Sequence, residues 1–515
     1  MKHASAKILT PSRRTFIGGM GAGILALGAR PLFAQDAPNR GGVLRIANYT
    51  QSTNDTCDPA KFVQAGDYMR ARCFYNTLTW INAADEAIPE LAESFEAIDD
   101  SLMRWRFKLA SGVKFHDGSP LTVEDVRFSI LRHKTVPSAA SALAENVVDV
   151  HADGADSVII ELNTPNIDFP LLIGTYHFSI IKDGTEDFTV PNGTGPFRVK
   201  EFRPGMRTSG VRFEDYWRNG LPYLDEFEIF SILDNEARVA ALLSGDVHLI
   251  NQLAGPAIDQ VAGSDAAQIL VTESRRITTM QYRMDLPMTD SLDFRLAMCY
   301  LMDRQRYLDV TLRGYGVIAN DTPFMKGSTF YNDDLPQRQL DPDKAAFHFR
   351  QSGVGSSLVE LNVSEASPFS TEIAQYLQRE GTRIGMNIQI KRNPADSYWN
   401  SVSGQFPITA GSTHPRPTVP MNLDLAFRTG AAWNRVAMAD PEFDSLLDQV
   451  NAVAEIERRR EIYHRLQQIL YDLSPMTIPA FMSYVDGMAA NVHGIEPLSV
   501  GPLGGYDFAN TAWLS

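Results

Sequence analysis

The chain has 515 residues and a formal net charge of −15 at pH 7, with 62 acidic side chains against 47 Lys and Arg. A strongly acidic protein repels phosphate backbones, and no basic patch with interleaved aromatic residues offsets this charge, so nucleic acid is excluded as a partner. About 480 residues follow an N-terminal leader, which is too many for one hydrophobic core and predicts two or more domains.

The N-terminal segment 1–34 predicts a twin-arginine export signal. Arg13 and Arg14 precede a glycine-rich, mildly apolar run over 18–28, and a small-residue cleavage site ends at Ala34. A membrane anchor would need about 20 consecutive apolar residues, and this run is shorter and too rich in glycine. Cleavage would remove five basic and no acidic residues, so the formal charge would move from −15 to −20. We therefore expect a soluble, exported protein.

Strand and helix patterns alternate along the chain without a repeat, which predicts a mixed α/β architecture. Five segments show the two-residue alternation of half-buried strands. They are 43–47, 104–109, 157–163, 226–230 and 386–391. In the second of these, the alternation puts Trp105, Phe107 and Leu109 on one face.

Two helices are indicated by a capping pattern or by an apolar stripe. Thr122 and Asp125 form a capping-box layout ahead of one stripe. Apolar residues repeat at helical spacing through 462–473. The Gly/Ser run 352–357 and the proline-dense piece 413–420 are predicted loops, the latter because it is too rich in proline for a helix or a central strand.

The three cysteines, Cys57, Cys73 and Cys299, lack the C-x-x-C spacing of a structural zinc site or a thioredoxin-type pair. A disulfide between Cys57 and Cys73 stays open as an alternative in an oxidising compartment. Cys299 falls on the apolar side of a helix-like run, which favours a place in the core.

The sequence carries no catalytic signature, since H-E-x-x-H, G-x-S-x-G, P-loop and EF-hand patterns are all absent. In NGTGPFRVKEF (192–202) the glycines lead into strand-like alternation, whereas a phosphate loop opens a helix. His116-Asp117-Gly118 is explained by turn chemistry. His414 has no second ligand at suitable spacing, so no metal site is expected. We therefore predict a protein that is not an enzyme and has no cofactor.

Aromatic and hydrogen-bonding residues instead gather in predicted loops. They are Tyr49, Tyr398, Trp399, Arg416, Trp433, Asn434 and Arg435. Aromatic faces with a few polar groups suit a cleft that holds a small polar molecule without reacting with it. An equally weighted alternative is that Trp399 and Trp433 anchor their loops onto the core.

Several blocks, in one order, resemble the extracellular solute-binding proteins of the peptide/nickel/opine class, the receptors of ABC importers. FKLASGVKFHDGSPLTVEDVRFSI (107–130) resembles the strand, turn and capped helix of that family. The segment 192–229 resembles its G-T-G-P-F strand, tight turn and second strand. Segments 235–250, 293–324 and 458–479 are similar to its later helices. In the family the G-T-G-P-F segment is structural, and its glycines let the backbone turn tightly.

The resemblance implies the type II, enlarged peptide-binding class of the two-lobe periplasmic binding protein fold. The first lobe would contain 42–286 plus 488–515, with an inserted subdomain near 81–190, and the second lobe 287–487. A solute that touches both lobes would shift a hinge equilibrium to the closed form. The implied protein is a monomeric periplasmic receptor that delivers a small solute to a permease and ATPase complex.

The identity of the solute is the point where the chain departs from the family pattern. Dipeptide-binding relatives carry an Asp in a D-P-D-type stretch, which pairs with the peptide amine, and the corresponding STHPRPTVPMNLD has no acidic residue there. Arg416 lies in it, and a guanidinium suits an anion. We therefore expect a solute with an acidic group, such as a peptide C-terminus or an opine-like compound, with Arg416 as its partner.

The expected ligand-binding residues are Tyr49, Trp399, Arg416, Trp433 and Asn434. The alternatives on the same fold are an opine, an oligosaccharide or a metal chelate as solute, and a sensor or chaperone role. An exported hydrolase would need a nucleophile–base pair, of which the sequence gives no sign.

Overall fold

The computed structural model describes residues 37–50, 52–413 and 418–515. The predicted export signal at 1–34, His414 and Arg416 lie outside the described residues. No helix in the described ranges is long and apolar enough to cross a membrane.

The strands of the described residues fall into one large sheet, a four-stranded sheet and two short ribbons. They are β1 (Val43–Asn48), β2 (Thr79–Ile81), β3 (Ala87–Pro89), β4 (Ala92–Ala97), β5 (Arg104–Leu109), β6 (Val147–Ala152), β7 (Ser157–Leu162), β8 (Phe197–Arg203), β9 (Arg207–Arg212), β10 (Glu226–Ser231), β11 (Leu249–Ile250), β12 (Ala267–Tyr282), β13 (Gly316–Ile318), β14 (Leu358–Val363), β15 (Asn387–Arg392), β16 (Ile408–Thr413), β17 (Met476–Thr477), β18 (Ala480–Ala489), β19 (Val492–His493) and β20 (Trp513–Leu514). The large sheet has the order β15-β14-β16-β12-β18-β11-β1-β10-β9-β8, with β13 paired to β18 and β17 to β12.

The helices of the described residues vary from a single turn to five turns. They are α1 (Ala65–Phe74), α2 (Val123–Leu131), α3 (Ser141–Ala144), α4 (Phe169–Ile173), α5 (Asn235–Ser244), α6 (Pro256–Ala262), α7 (Leu292–Tyr300), α8 (Arg304–Arg306), α9 (Pro342–Gln351), α10 (Ser370–Arg383), α11 (Tyr398–Ser401), α12 (Val419–Phe427), α13 (Pro441–Asn451), α14 (Ile456–Leu473), α15 (Pro502–Gly505) and α16 (Phe508–Thr511). Short 3-10 turns lie at Pro59–Lys61, Arg132–Lys134 and Tyr176–Phe178, and a π-helical turn at Tyr307–Thr311.

Separate hydrophobic cores divide the molecule into two halves. The first half is built around β1, β10 and β11, with Ile46, Phe227 and Leu249 fully buried between the sheet and α1, α5 and α6. The second half is built around β14, β16 and helices α7, α10 and α14, with Leu361 and Leu466 among its fully buried side chains. Since α/β layers bury one sheet face under helices, each half has the form of a domain with its own core.

The two halves are joined by the paired strands β12 and β18. These strands run antiparallel from Ala267 opposite Ala489 to Ile277 opposite Phe481, and the register shifts between Thr272 and Arg276. Beyond that shift β12 pairs with β16 of the second half. The irregularity therefore lies where the chain passes from one half to the other.

A third core is built from residues within 78–180, most of which fall in the predicted inserted subdomain. The four-stranded antiparallel sheet β4-β5-β7-β6 carries it, and helix α2 packs on this sheet. Trp105, Phe107 and Leu109 are all buried in it, as the alternation in RWRFKL predicts. The lobe boundaries themselves stay a prediction.

The local signals of strands and caps are mostly confirmed. All five predicted strands are present within one or two residues of the expected ends. The Thr122 hydroxyl oxygen accepts from the Asp125 N–H, and the Asp125 carboxylate accepts from the Thr122 N–H at 2.7 Å, which completes the capping box of α2.

The loop prediction for 413–420 is wrong at both ends. Thr413 is the last residue of β16, and α12 already begins at Val419, with Thr418 as its N-cap and Pro420 in its first turn. The first N–H groups of a helix have no intrahelical acceptor, so a proline there removes no hydrogen bond.

The loop prediction around Tyr398 and Trp399 is also wrong, because both residues belong to the short helix α11. Tyr398 is fully buried, and its hydroxyl lies 2.8 Å from the Ala410 carbonyl oxygen, to which it donates. This tyrosine anchors its segment onto the core.

The glycines of the G-T-G-P-F segment are structural, as the resemblance implies, but for a different reason. Neither Gly193 nor Gly195 has a positive φ. A Cβ atom on Gly193 would lie 2.0 Å from the Phe74 carbonyl oxygen, and one on Gly195 would lie 2.4 Å from the Phe74 carbonyl carbon. The segment therefore needs glycine because its backbone packs directly on the end of α1.

All three cysteines are buried free thiols, so Cys57 and Cys73 do not form the disulfide that the sequence left open. Burial raises the pKa of Cys57 to about 12, which keeps this thiol protonated and unreactive. Cys299 lies in the core on α7, as expected.

Candidate functional site

A cavity of about 590 Å³, here named the larger cavity, lies between the two halves. Its wall in the first half contains Tyr68 of α1, Trp80 of β2 and Tyr506 near the C-terminus. Met421 of α12 and Trp433 of the following loop form its wall in the second half. A molecule in this cavity would therefore touch both halves at once.

The aromatic rings on the first-half wall contact one another. Tyr68 stacks on Tyr176 with ring centroids 5.0 Å apart, and Tyr506 and Trp80 meet the Tyr176 ring at 5.7 and 5.8 Å. Mutual packing of this kind fixes the rings in place before any ligand arrives. The wall is a preformed aromatic surface.

Tyr49 lies at the edge of this surface, directly after β1. Its backbone N–H donates to the Asn251 side-chain oxygen at 3.0 Å, and Asn251 in turn donates to Asn48 at 2.9 Å. Burial raises the pKa of the Tyr49 hydroxyl. This hydroxyl stays protonated at neutral pH and can donate a hydrogen bond into the cavity.

One charged pair faces the larger cavity. The Arg275 guanidinium lies 3.6 Å from the Asp85 carboxylate, which also accepts from the Ser499 hydroxyl. The Arg275 Nε atom has no hydrogen-bond partner among the described residues. The pair adds a charged donor and a charged acceptor to the polar groups of the cavity wall.

A second cavity of about 460 Å³ lies against β12 and β16 in the second half. Trp399, Arg276 and Arg435 line it together with the buried Ser403. Trp433 lines both cavities, so the two adjoin at its indole ring.

The predicted site residues fall into three groups. Tyr49 and Trp433 line the larger cavity, and Trp399 and Trp433 line the second one. Trp399 and Trp433 keep 36% and 51% of their surface exposed, and their contact with a ligand stays a prediction. Asn434 lines neither cavity, and Arg416 lies outside the described residues.

The Asn434 side chain forms hydrogen bonds within its own loop. Its amide NH2 donates to the carbonyl oxygens of Arg428 at 3.0 Å and Met438 at 2.7 Å, and its oxygen accepts from the Met438 N–H at 3.0 Å. These bonds hold the loop that carries Trp433. Direct contact of Asn434 with a ligand stays a prediction.

Sequence reasoning missed most of the aromatic wall and the charged groups. Trp80, Tyr176 and Tyr506 are far apart in the chain and are brought together only by the fold. Arg275 and Arg276 are adjacent in the middle of β12. Two consecutive arginines inside a strand are costly to bury, so this pair was the one local signal available.

Contacts between the halves also occur outside the cavities. Asp168, in the third core region, pairs with Arg459 of α14 at 2.5 Å, and both side chains are about nine-tenths buried. The neighbouring Ile167 N–H donates to the Asn451 carbonyl oxygen at 3.0 Å. These contacts hold the halves together on one side of the larger cavity.

Residues 86–435 match the sequence profile described as bacterial extracellular solute-binding proteins, family 5 Middle. The chain belongs to this family. The cavity between two halves is the feature that a solute-binding protein of this kind requires.

Curated family 5 proteins align with most of this chain at low identity. Heme-binding protein A of Haemophilus influenzae is 23% identical over 81% of this chain and 83% of its own length. The dipeptide-binding protein of Escherichia coli is 23% identical over 83% of this chain and 86% of its own length.

Solved structures establish the two-lobe periplasmic binding protein fold for this family 5 member. HbpA2 from Haemophilus parasuis superposes with a TM-score of 0.80 at 21% identity, over 92% of this chain and 100% of that one. DppA from Helicobacter pylori, in complex with the peptide STSA, gives a TM-score of 0.75 at 20% identity, over 92% and 98% of the two chains. The two halves described above are the lobes of this fold.

Proposed function

We propose that the protein is a periplasmic receptor of an ABC importer. It captures a peptide or a similar small polar solute between its lobes and delivers it, chemically unchanged, to a permease and ATPase complex. The observation that carries this proposal is the cavity of about 590 Å³ between the lobes, with a preformed aromatic wall on one side and Trp433 on the other. Relatives whose names include dipeptide-binding and peptide transport proteins support the choice of solute class.

Capture follows from the two-sided wall. A solute that touches Tyr68 and Trp433 together can do so only when the lobes are closed, so its binding shifts the population toward the closed form. A micromolar dissociation constant would supply about 8 kcal/mol for this shift. The hinge would be the crossing of β12 and β18, where the register shifts between Thr272 and Arg276.

We propose that Tyr49, Trp399 and Trp433 contact the solute directly. Asn434 supports this surface by fixing the loop of Trp433. Arg416, outside the described residues, stays the proposed partner of an acidic group. We also propose that the protein acts as a monomer.

Export is proposed to use the twin-arginine signal in segment 1–34. The arginine pair, the short glycine-rich run and the site at Ala34 support this route. The receptor would then work in the periplasm, beside the permease it serves.

The proposal is tested by isolating the protein from its own periplasm and measuring the bound mass by native mass spectrometry. We expect a peptide-sized solute that is released with its mass unchanged. Conversion of the solute during incubation with the protein would contradict the receptor function.

The site is tested by replacing Trp433 with Ala. Calorimetry with the isolated solute should show at least tenfold weaker binding, because a large aromatic contact to the solute is lost. Phe347→Ala is the matched control, since Phe347 is also 51% exposed but lines neither cavity. Equal affinities for the two variants would remove Trp433 from the site.

A further inference from the structure

The second cavity carries positive charge without a matching negative charge. Arg276 and Arg435 line it, and none of the described residues in its wall is an aspartate or a glutamate. The whole chain carries a formal charge of −15, so a cavity of the opposite sign is not a consequence of composition. The positive charge of these two guanidinium groups therefore favours the binding of an anion in this cavity.

The buried Arg72 and Arg304 are neutralised by carboxylates of this protein. The buried Arg238 and Arg295 instead donate to backbone carbonyl oxygens. Arg72 pairs with Glu90 at 3.0 Å and with Asp507 at 2.6 Å, and Arg304 pairs with Asp321 at 2.6 Å. A buried guanidinium is costly unless it is paired and hydrogen-bonded.

Arg276 and Arg435 differ from Arg72 and Arg304, because neither forms an ion pair with any of the described carboxylates. The Arg276 guanidinium lies over the Tyr484 ring, whose centroid is 4.8 Å away. The buried Asp486 carboxylate interacts electrostatically with Arg276 but accepts hydrogen bonds from the Gln252 and Leu503 N–H groups, so it forms no ion pair with this guanidinium.

The two arginines are held by different elements of the cavity wall. Arg276 extends from β12, where its backbone N–H donates to the Ser274 hydroxyl oxygen at 3.1 Å. The stem of Arg435 lies against Gly404, on which a Cβ atom would come within 2.7 Å of Arg435 Cδ. Gly404 has a φ of +72°, so the groove that seats this stem depends on a glycine in the left-handed region.

Two unsatisfied polar atoms complete the chemistry of this cavity. Ser403 is 1% exposed and its hydroxyl has no hydrogen-bond partner among the described residues, and the same holds for the buried side-chain oxygen of Gln281. Both residues line the cavity. The hydroxyl can donate to an anion, while the Gln281 oxygen needs a donor such as an amide N–H.

We propose that the second cavity binds the carboxylate-bearing end of the solute, with Arg276 and Arg435 pairing with the carboxylate. The C-terminal residue of a peptide carries a carboxylate and an amide N–H on one carbon, which matches the two arginines, Ser403 and Gln281 together. This inference rests on the proposed receptor function. It also gives the orientation of the bound solute. The carboxylate end lies in the second lobe, and the rest of the solute extends past Trp433 into the larger cavity.

The test uses two pools of random tri- to hexapeptides, one with free C-terminal carboxylates and one with C-terminal amides. Native mass spectrometry of the full mature protein detects which pool binds, and calorimetry measures the best binder in both forms. We expect the free acid to bind at least tenfold more tightly than its amide. A third form, an amide with one Glu side chain, tells a C-terminal from a side-chain carboxylate.

The variants Arg276→Gln and Arg435→Gln should each reduce the preference for the free acid, and the double variant should reduce it further. Arg203→Gln is the charge-matched control, because Arg203 pairs with Glu201 on an exposed strand away from both cavities. Its preference should stay that of the wild type. The comparison of acid with amide on wild-type protein tests the subsite even if a variant fails to fold.

The outcomes separate the two levels of inference. Equal binding of acid and amide by the wild type, or an undiminished preference in the double variant, would overturn the subsite while leaving the receptor function in place. Binding of neither pool would refute the peptide class itself, and the subsite with it. Binding of the Glu-containing amide alone would keep the arginine pair as a carboxylate site but overturn the assignment to the peptide C-terminus.

Discussion

Replacing Asp168 with Asn should favour the open form of the protein. Asp168 lies in the predicted inserted subdomain of the first lobe and Arg459 on α14 in the predicted second lobe, so we expect their ion pair at 2.5 Å only while the lobes are together. Arg459 also lies 5.2 Å from the centre of the Phe330 ring and 3.3 Å from the Tyr463 hydroxyl. Removing the carboxylate would leave this guanidinium buried and unpaired.

The magnitude follows from the burial of the pair. Loss of one partner from a buried ion pair costs about 3–5 kcal/mol, and we take the lower end, about 3 kcal/mol, because the side chains keep 9% and 11% exposure. The cost falls on the closed form alone, since both groups are solvated when the lobes separate. Each 1.4 kcal/mol is a factor of about ten, so the closed population and the solute affinity should both fall roughly 100-fold.

Calorimetry with the isolated solute measures the affinity, and small-angle X-ray scattering measures closure at a fixed solute concentration. Asp153→Asn is the control, because Asp153 pairs with Arg106 inside the inserted region at an exposed position. The double variant Asp168→Asn with Arg459→Met should recover part of the loss, since no charge is then stranded. An Asp168→Asn protein with wild-type affinity and scattering would show that the pair plays no part in closure.

Three further predictions concern folding and export. Gly195→Ala should lower the free energy of unfolding, measured by urea titration, by about 2 kcal/mol or more, because the added Cβ atom would meet backbone atoms of Phe74 and Tyr75. Gly263→Ala is the control and should cost less, since the atom nearest to its Cβ would be 3.2 Å away. Burial lowers the pKa of His116 from 6.5 to about 4. Between these two pH values the unfolded chain binds a proton at His116 that the folded protein does not bind. The free energy of unfolding should therefore fall as the pH drops through this window, by up to about 1.4 kcal/mol per pH unit. Urea titrations at several values between about pH 4.5 and 7 should show that stability depends less steeply on pH in His116→Gln than in the wild type. An unchanged slope would remove His116 as a cause of the pH dependence. Replacing both Arg13 and Arg14 with Lys should stop export, measured by cell fractionation, whereas the control Arg30→Lys should still be exported. Export of the variant that lacks both arginines would refute the twin-arginine route.

The sequence predicts elements best where one face is buried and the other solvated. In β5 the buried faces of Trp105, Phe107 and Leu109 alternate with the more exposed Arg104, Arg106 and Lys108, and the period is visible without any tertiary information. The capping box of Thr122 is equally local. Such signals depend only on neighbours in the chain.

The long strand β12 could not be predicted in this way. Its sequence AQILVTESRRITTMQY places Ser274, Arg275 and Arg276 in the middle of the largest sheet, where polar residues argue against a strand. The two arginines are tolerated because Arg275 lines the larger cavity and Arg276 the second one. The cavity itself brings together positions from Tyr49 to Tyr506, so no local pattern records it.

The charges of the protein act on the solute over two different ranges. The predicted mature charge of −20 repels an anion at long distance, but at physiological salt this field is screened beyond about 8 Å. Inside the lobes, arginines such as Arg72 and Arg304 are already neutralised by their own carboxylates. An anionic solute therefore gains attraction only after it has entered the cleft, where Arg276 and Arg435 have no carboxylate of their own among the described residues. The protein therefore selects an anionic solute through short-range contacts in the closed form, which the Asp168–Arg459 pair also stabilises.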